Sequence, residues 1–243
     1  MRLDQFLVSK GYFSTRARAR DAILRGVVLI DGATALKPSQ NVMGEPRISV
    51  REDEARYVSR AALKLIHALD HFAIDAAVDL ALDLGASTGG FTQVLLDRGA
   101  RRVVAVDVGH GQLAPSLGAD SRVLLIERLN ARDLTREHLP APPQLVTCDV
   151  SFISLTLALP PALRLAAPGA RLVALIKPQF EAGRGSLDRS GVVTDRSVHV
   201  MVCAHIREWL DSKGSWRVLD VIHSPILGGD GNREFLIAAE KQR

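Results

Sequence analysis

Cysteine is nearly missing from this 243-residue chain: there are two, Cys148 and Cys203, and no C-x-x-C pair. A disulfide framework and a thiolate metal site are thereby excluded, and a reducing, cytoplasmic setting is expected. No uninterrupted apolar run of bilayer length occurs. The first residues, MRLDQFLVSK, lack the apolar segment of a signal peptide. The longest candidate span, residues 154–176, is broken by Pro160, Pro161, Pro168 and Gly169 and carries Arg164 and Arg171. It reads as helix, turn and strand, so no membrane role is expected. Also missing are G-x-G-x-x-G, the P-loop pattern and H-E-x-x-H, although His67 and His71 stand four apart. No metal is expected. Lysine is scarce too, with six in the chain.

What is present belongs to a soluble globular protein, with 47% apolar and 24% charged residues. The length suits one large domain or an ordinary domain with a small attachment. The net charge of +4 is unevenly spread. Residues 1–30 hold six basic residues and two acids, residues 31–60 five of each, and residues 61–243 twenty of each. The whole excess sits in the first thirty residues, which suggests a polyanionic partner there.

Residues 1–50 read as a compact α+β module. LDQFLVSKG is a short helix closed by Gly11, and STRARARDAILRG a second, capped by Ser14 or Thr15 and closed by Gly26. VVLIDG and RISV are strands, separated by the polar stretch ATALKPSQNVMGEP. On the second helix Arg16 and Arg20 share a face. No acid-rich spacing offsets this arginine run, which favours phosphate binding over a merely solvated face. The spacing R-L-D, S-x-R-x-x-A, G-x-V and DG resembles the S-four RNA-binding domain, which docks its helix pair on folded RNA. The resemblance implies Arg2, Arg16, Arg20 and Arg25 as RNA contacts, with Arg18 in the same run.

Residues 51–60 read as a linker and residues 61–243 as a second domain. Ser59 can cap a helix whose Ala62, Leu65, Ile66 and Leu69 form one stripe, with Lys64 projecting away from it. Strands are expected at 80–85, 102–108, 122–128, 144–150, 170–177, 216–224 and 234–240, and helices at 90–98, 154–166 and 195–213. Near-continuous apolar strands alternating with helices predict an α/β fold. Its parallel, seven-stranded Rossmann-like sheet is covered on both faces, with an antiparallel pair at one edge.

LDLGASTGGFT (82–92) is a strand, a Gly-rich turn and a helix start, where Ser87 or Thr88 can cap. Asp83 before the turn would repel a pyrophosphate but could engage a cation or hydroxyls. Asp107 ends the next strand, where an acid accepts hydrogen bonds from ribose hydroxyls. A ligand with a ribose and a positive charge but no phosphate is S-adenosylmethionine. Phe91 packs beside that ligand or staples the helix, and Asn130 stands where such folds hold an adenine.

Further polar residues lie at strand ends, where open α/β sheets bind ligands. Asp149 follows QLVTC, Lys177 ends ARLVALI, and Glu234 reaches the same edge if its strand runs antiparallel. Taken alone, Lys64 reads as a solvated helix lysine and Asp149 as a cap of the next turn. Together Lys64, Asp149, Lys177 and Glu234 resemble the Lys-Asp-Lys-Glu set of FtsJ-type ribose methyltransferases. With SRAALKL, CDVSFIS and KPQFE in place, the whole chain resembles the TlyA family of rRNA 2′-O-methyltransferases, labelled haemolysin A. The resemblance implies a cofactor set of Asp83, Gly85, Ala86, Ser87, Thr88, Gly89 and Phe91 along the turn, joined by Asp107, Asn130 and Asp149. It also implies a cytidine of ribosomal RNA or of a ribosomal subunit as substrate. Opening directly at RLDQFL resembles the branch that acts on the large subunit only.

The chemistry asks for such a set. A ribose 2′-hydroxyl attacks only if its proton is removed during reaction, and a lysine serves as base only when burial or a second cation makes it less basic. Lys177 with Lys64 nearby is that arrangement, while Asp149 and Glu234 orient the amines. The expected reaction is in-line displacement by the 2′-oxygen on the sulfonium methyl, releasing S-adenosylhomocysteine. Positioning supplies much of the rate, without a metal. The alternatives are an RNA-binding assembly factor with an inactive methyltransferase fold, a membrane-active haemolysin, and methylation of a base or protein. Base N-methylation often uses N/D-P-P-Y where this chain has DVSF. The oligomeric state is not legible.

Overall fold

The structure, a computed structural model, describes residues 1–13, 15–24, 26–50, 57–188, 190–228 and 231–242. The side chains of residues 17, 18, 21 and 184 also lie outside the description. Ser14, Arg25 and most of the expected linker, residues 51–56, therefore fall outside it, as does the side chain of Arg18. The described chain divides into two compact units, Met1–Arg60 and Ala61–Arg243.

In the first unit, helices α1 (Leu3–Ser9) and α2 (Arg16–Leu24) precede strands β1 (Val28–Ile30), β2 (Ala33–Thr34) and β3 (Ile48–Val50). The sheet order is β2-β1-β3, all antiparallel. The strand β2 lies inside the stretch read as merely polar: the Asp31–Gly32 turn, with both residues at positive φ, folds the chain straight back on β1. Leu3, Leu7, Ala19, Ala22, Ile23, Val27 and Val28 make a small closed core. The arginine run is not free of offsetting acid, as the sequence had suggested. Asp4, 3% exposed, accepts from Arg2 Nε at 3.0 Å and from Arg16 Nη2 at 3.0 Å. Those hydrogen bonds, Arg2's first, hold its carboxyl down to about 2. Arg20, four residues beyond Arg16, remains exposed.

The second unit contains β4 (Ala81–Leu84), β5 (Val103–Val106), β6 (Val123–Ile126), β7 (Leu145–Cys148), β8 (Arg171–Ile176), β9 (Trp216–His223) and β10 (Phe235–Lys241). Their order is β6-β5-β4-β7-β8-β10-β9. The first five run parallel, and β10 is antiparallel to both β8 and β9. The strands β4, β5 and β7 are buried at every position, which is why they read as unbroken apolar runs. Helix α3 (Ala61–His71) packs on β8 and β10, α4 (Gly90–Asp97) follows β4, and α5 (Pro115–Gly118) follows β5. The single helix expected over 154–166 is two, α6 (Leu155–Ala158) and α7 (Pro160–Leu165). Pro160 restarts the helix because it offers no N–H to the turn before it. Two longer-range elements complete the unit, α8 (Pro178–Glu181) and α9 (Arg196–Asp211).

The stripe expected on α3 is shifted. Its buried residues are Ala62, Lys64, Leu65, Ala68 and Leu69, with Ile66 only half-buried. Lys64 does not project into solvent; it lies one helical turn from Ala68 on the covered side. Among the described residues, no helix is long and apolar enough to cross a membrane.

Candidate active site

The parallel strands end together, and the residues just past their ends build one edge. Asp149 follows β7, Lys177 follows β8, and Glu234 precedes β10. Phe235 pairs with Ile176, so antiparallel register puts Glu234 opposite Lys177. Lys64 arrives from α3. Residues 170 positions apart in the chain thus meet as a buried ion pair: Lys64 Nζ donates to Glu234 Oε2 at 2.5 Å, with side chains 8% and 3% exposed. Lys177 Nζ stands 2.6 Å from Asp149 Oδ1 and donates to Ser151 Oγ at 2.9 Å.

The two pairs differ in their surroundings. Lys64–Glu234 is sealed. In the Lys177–Asp149 pair, Asp149 borders a cavity, and its Oδ1 has no well-directed hydrogen bond despite the close ion pair. Ser151, two residues past Asp149, was not singled out from the sequence; only the fold brings it to Lys177. Glu181 of KPQFE accepts from Ser154 Oγ at 2.6 Å and Leu155 N–H at 2.8 Å. That motif therefore laces the segment after Asp149 to the segment after Lys177.

The cavity beside this edge has a volume of about 450 Å³. Gly85, Ser87, Asp107, Asn130 and Asp149 border it, with Val106, Val108, Leu129 and Ile153 as apolar walls. Gly85 has φ +80°, and a Cβ there would lie 2.7 Å from the Asp149 carbonyl oxygen. The turn can cross the end of β7 only without a side chain. Asp107 Oδ2 accepts from Ser87 N–H at 2.7 Å and Oδ1 from Gly109 N–H at 2.6 Å, which aims the carboxylate along the wall. Gln112, also unanticipated, lies on the same wall and accepts from Ser87 Oγ. Asn130 Oδ1 caps the 3-10 turn 131–133, leaving its amide to the cavity side. An apolar slot, a carboxylate for vicinal hydroxyls and a close backbone turn fit S-adenosylmethionine.

Other expectations need correction. Neither Ser87 nor Thr88 caps α4: its N-cap is Gly89 at φ 99°, without a side-chain bond. Asp83 does not face the cavity. It is fully buried, its oxygens taken by Thr92 Oγ1 at 2.7 Å and Thr147 Oγ1 at 3.0 Å, and burial pushes its carboxyl up to about 6. It ties β4 to α4 and β7 beneath the turn. Phe91 is likewise buried, 3% exposed, and Ala86, Thr88 and Gly89 do not border the cavity. Burial pushes the Cys148 thiol up to about 12 and the Cys203 thiol to about 11, which removes both as nucleophiles. Among the described residues no group of three metal-ligating side chains occurs, and His67 and His71 make only a tilted ring contact.

Residues 57–241 match the FtsJ-like methyltransferase family and residues 1–45 the S4 domain. A 16S/23S rRNA (cytidine-2′-O)-methyltransferase of Mycobacterium tuberculosis is 45% identical over 237 residues, covering 97% of this chain and 88% of the relative. A 23S rRNA (cytidine-2′-O)-methyltransferase of Campylobacter jejuni is 34% identical over 97% of both chains. Among solved structures, a hemolysin-labelled protein from Streptococcus thermophilus superposes with a TM-score of 0.77 at 38% identity, over 100% of this chain and 88% of that one.

Proposed function

Since the chain belongs to the TlyA family of rRNA 2′-O-methyltransferases, with an N-terminal S4 domain and an FtsJ-like methyltransferase domain, we propose that it methylates the 2′-hydroxyl of a cytidine in large-subunit rRNA. The observation that carries the reading is the pair of lysine–carboxylate contacts at one sheet edge, beside a cavity suited to S-adenosylmethionine. Both relatives bear names that include the 23S RNA and a cytidine, and large-subunit RNA is what those names share. Work on ribosomal RNA is work in the cytoplasm.

S-adenosylmethionine supplies an electrophilic methyl group on sulfur. The chain's residues supply the rest. Lys177 Nζ would take the 2′-hydroxyl proton as the ribose oxygen becomes the nucleophile for that methyl group. Asp149 and Ser151 hold the amine towards the ribose, and the same Asp149 borders the cofactor cavity. Asp107 would hold the cofactor ribose and Asn130 its adenine. Glu234 and Lys64 keep the floor of the site rigid. Arg20 on the first unit binds RNA phosphates, whereas Arg16 and Arg2 share their charge with Asp4.

Purified small- and large-subunit RNAs, offered separately with methyl-labelled cofactor, test the substrate. Label is expected in large-subunit RNA at least tenfold over small-subunit RNA. Equal labelling would extend the target to both subunits, and label in small-subunit RNA alone would reverse it.

A further inference from the structure

A second cleft opens at the same sheet edge, on the other side of Glu234 from the cofactor cavity. Its volume is about 300 Å³. It lies between α9 and the ends of β9 and β10, where His223 and Phe235 are register partners. The floor is apolar, made by Val221, Cys203 and Phe235, and the rim carries the guanidinium groups of Arg196 and Arg233 beside the His223 ring.

Three features separate this cleft from an ordinary solvated patch. First, Arg196 and Arg233 form no ion pair among the described residues, and three described acids of this region are engaged elsewhere. Asp195 accepts from Ser197, Asp220 pairs with Arg207, and Glu234 pairs with Lys64. Second, the walls are fixed to each other. Asn232, 1% exposed, accepts from Val193 N–H at 2.9 Å and donates to the Gly191 carbonyl at 3.2 Å. His199, buried at the back of the cleft, bonds the Val193 carbonyl at 2.9 Å and lies 5.6 Å from the Phe235 ring. The segment that leads into Arg196 is thereby pinned to the segment that carries Arg233. Third, Arg233 is the immediate neighbour of Glu234. Gly228 comes so near Glu234 that a Cβ there would clash with its Oε1, so the backbone at Gly228 packs directly against the carboxylate.

We propose that this cleft is an RNA-binding site on the catalytic unit, taking the phosphodiester and a nucleobase of the strand that flanks the target nucleotide. Arginine forks suit phosphate oxygens, and an apolar floor with a ring edge suits an unstacked base. Anchoring the strand here, one residue from Glu234, fixes the position of the neighbouring ribose relative to Lys177. The site rests on the rRNA-methylation reading and adds a second anchor to the arginines of the first unit.

The test uses the full chain with unmodified, deproteinised large-subunit rRNA, comparing wild type with an Arg196→Ser/Arg233→Ser variant. RNA affinity is expected to fall about tenfold or more at roughly 0.1 M salt. The slope of log affinity against log salt is expected to shrink by about 1.4, two single-strand phosphate contacts. Cofactor affinity measured by calorimetry should stay within threefold. Unchanged RNA affinity and salt slope, while wild type still methylates, would overturn the cleft proposal alone; a wild type that transfers no methyl group would overturn the reading beneath it. Inorganic phosphate that binds wild type and not the variant, with RNA affinity unchanged, would make this a small-anion site and refute the RNA assignment. Should the double serine variant fail to fold, Arg196→Lys/Arg233→Lys and ultraviolet crosslinking of wild type decide. RNA adducts on the peptides bearing Arg196 or His223 support the site, and adducts confined to residues 1–60 refute it.

Discussion

Replacing Lys177 by alanine is expected to lower the rate of methyl transfer by about 10²- to 10⁴-fold, the range general-base catalysis supplies. Cofactor affinity should change by no more than about threefold, because Lys177 does not border the cavity while Asp149 does. Both lysines are largely buried, yet Lys64 is closed in by Glu234 at 2.5 Å, whereas the partners of Lys177, Asp149 and Ser151, both border the cavity. Single-turnover kinetics separate the chemical step from binding. A Lys177→Ala enzyme that turned over at the wild-type rate would remove Lys177 as the base, and a rate lost together with cofactor binding would make it a structural residue.

The second large effect concerns stability. Lys64→Met leaves the Glu234 carboxylate buried without its partner, which costs about 3–5 kcal/mol. For a unit of this size the melting temperature should fall by about 6–20 °C. Removing both charges, as Lys64→Met/Glu234→Gln, should return most of that loss, because a buried pair recovers little more than its own desolvation. Methyl transfer should remain impaired in both variants, since α3 and the entry to β10 would no longer be clamped at the site. Thermal unfolding followed by circular dichroism reads the first effect and a transfer assay the second. A double variant as unstable as the single one would show that the pair acts as a net stabiliser rather than as a positioning device.

How legible this was from the sequence depends on distance along the chain. The strands of the second unit were readable because each is apolar at consecutive positions, and their parallel run follows from the alternation with helices. Asp107 and Gly85 were readable because each is local to a strand end. The faces of charged residues were not. Lys64 looks solvated on a helical wheel, because its burial is decided by Glu234, 170 residues later. Asp83 looks like a ligand residue from its place before a Gly-rich turn, but Thr92 and Thr147 claim it from two other elements. Asp4 sits among arginines that the charge count treats as free, and its burial beside Arg2 and Arg16 alters which of them remain for RNA. Ser151 and the basic cleft had no local signal at all: the first needs Lys177 across the sheet edge, the second needs α9 against β9 and β10.

The most direct test is a nucleoside digest. Unmodified large-subunit rRNA is incubated with the enzyme and methyl-labelled S-adenosylmethionine, digested to nucleosides and resolved by mass spectrometry. The label is predicted in 2′-O-methylcytidine, formed at least about a hundredfold more slowly when Lys177→Ala replaces wild type at the same enzyme concentration. Label in a base-methylated nucleoside, or undiminished 2′-O-methylcytidine from the variant, would contradict the account.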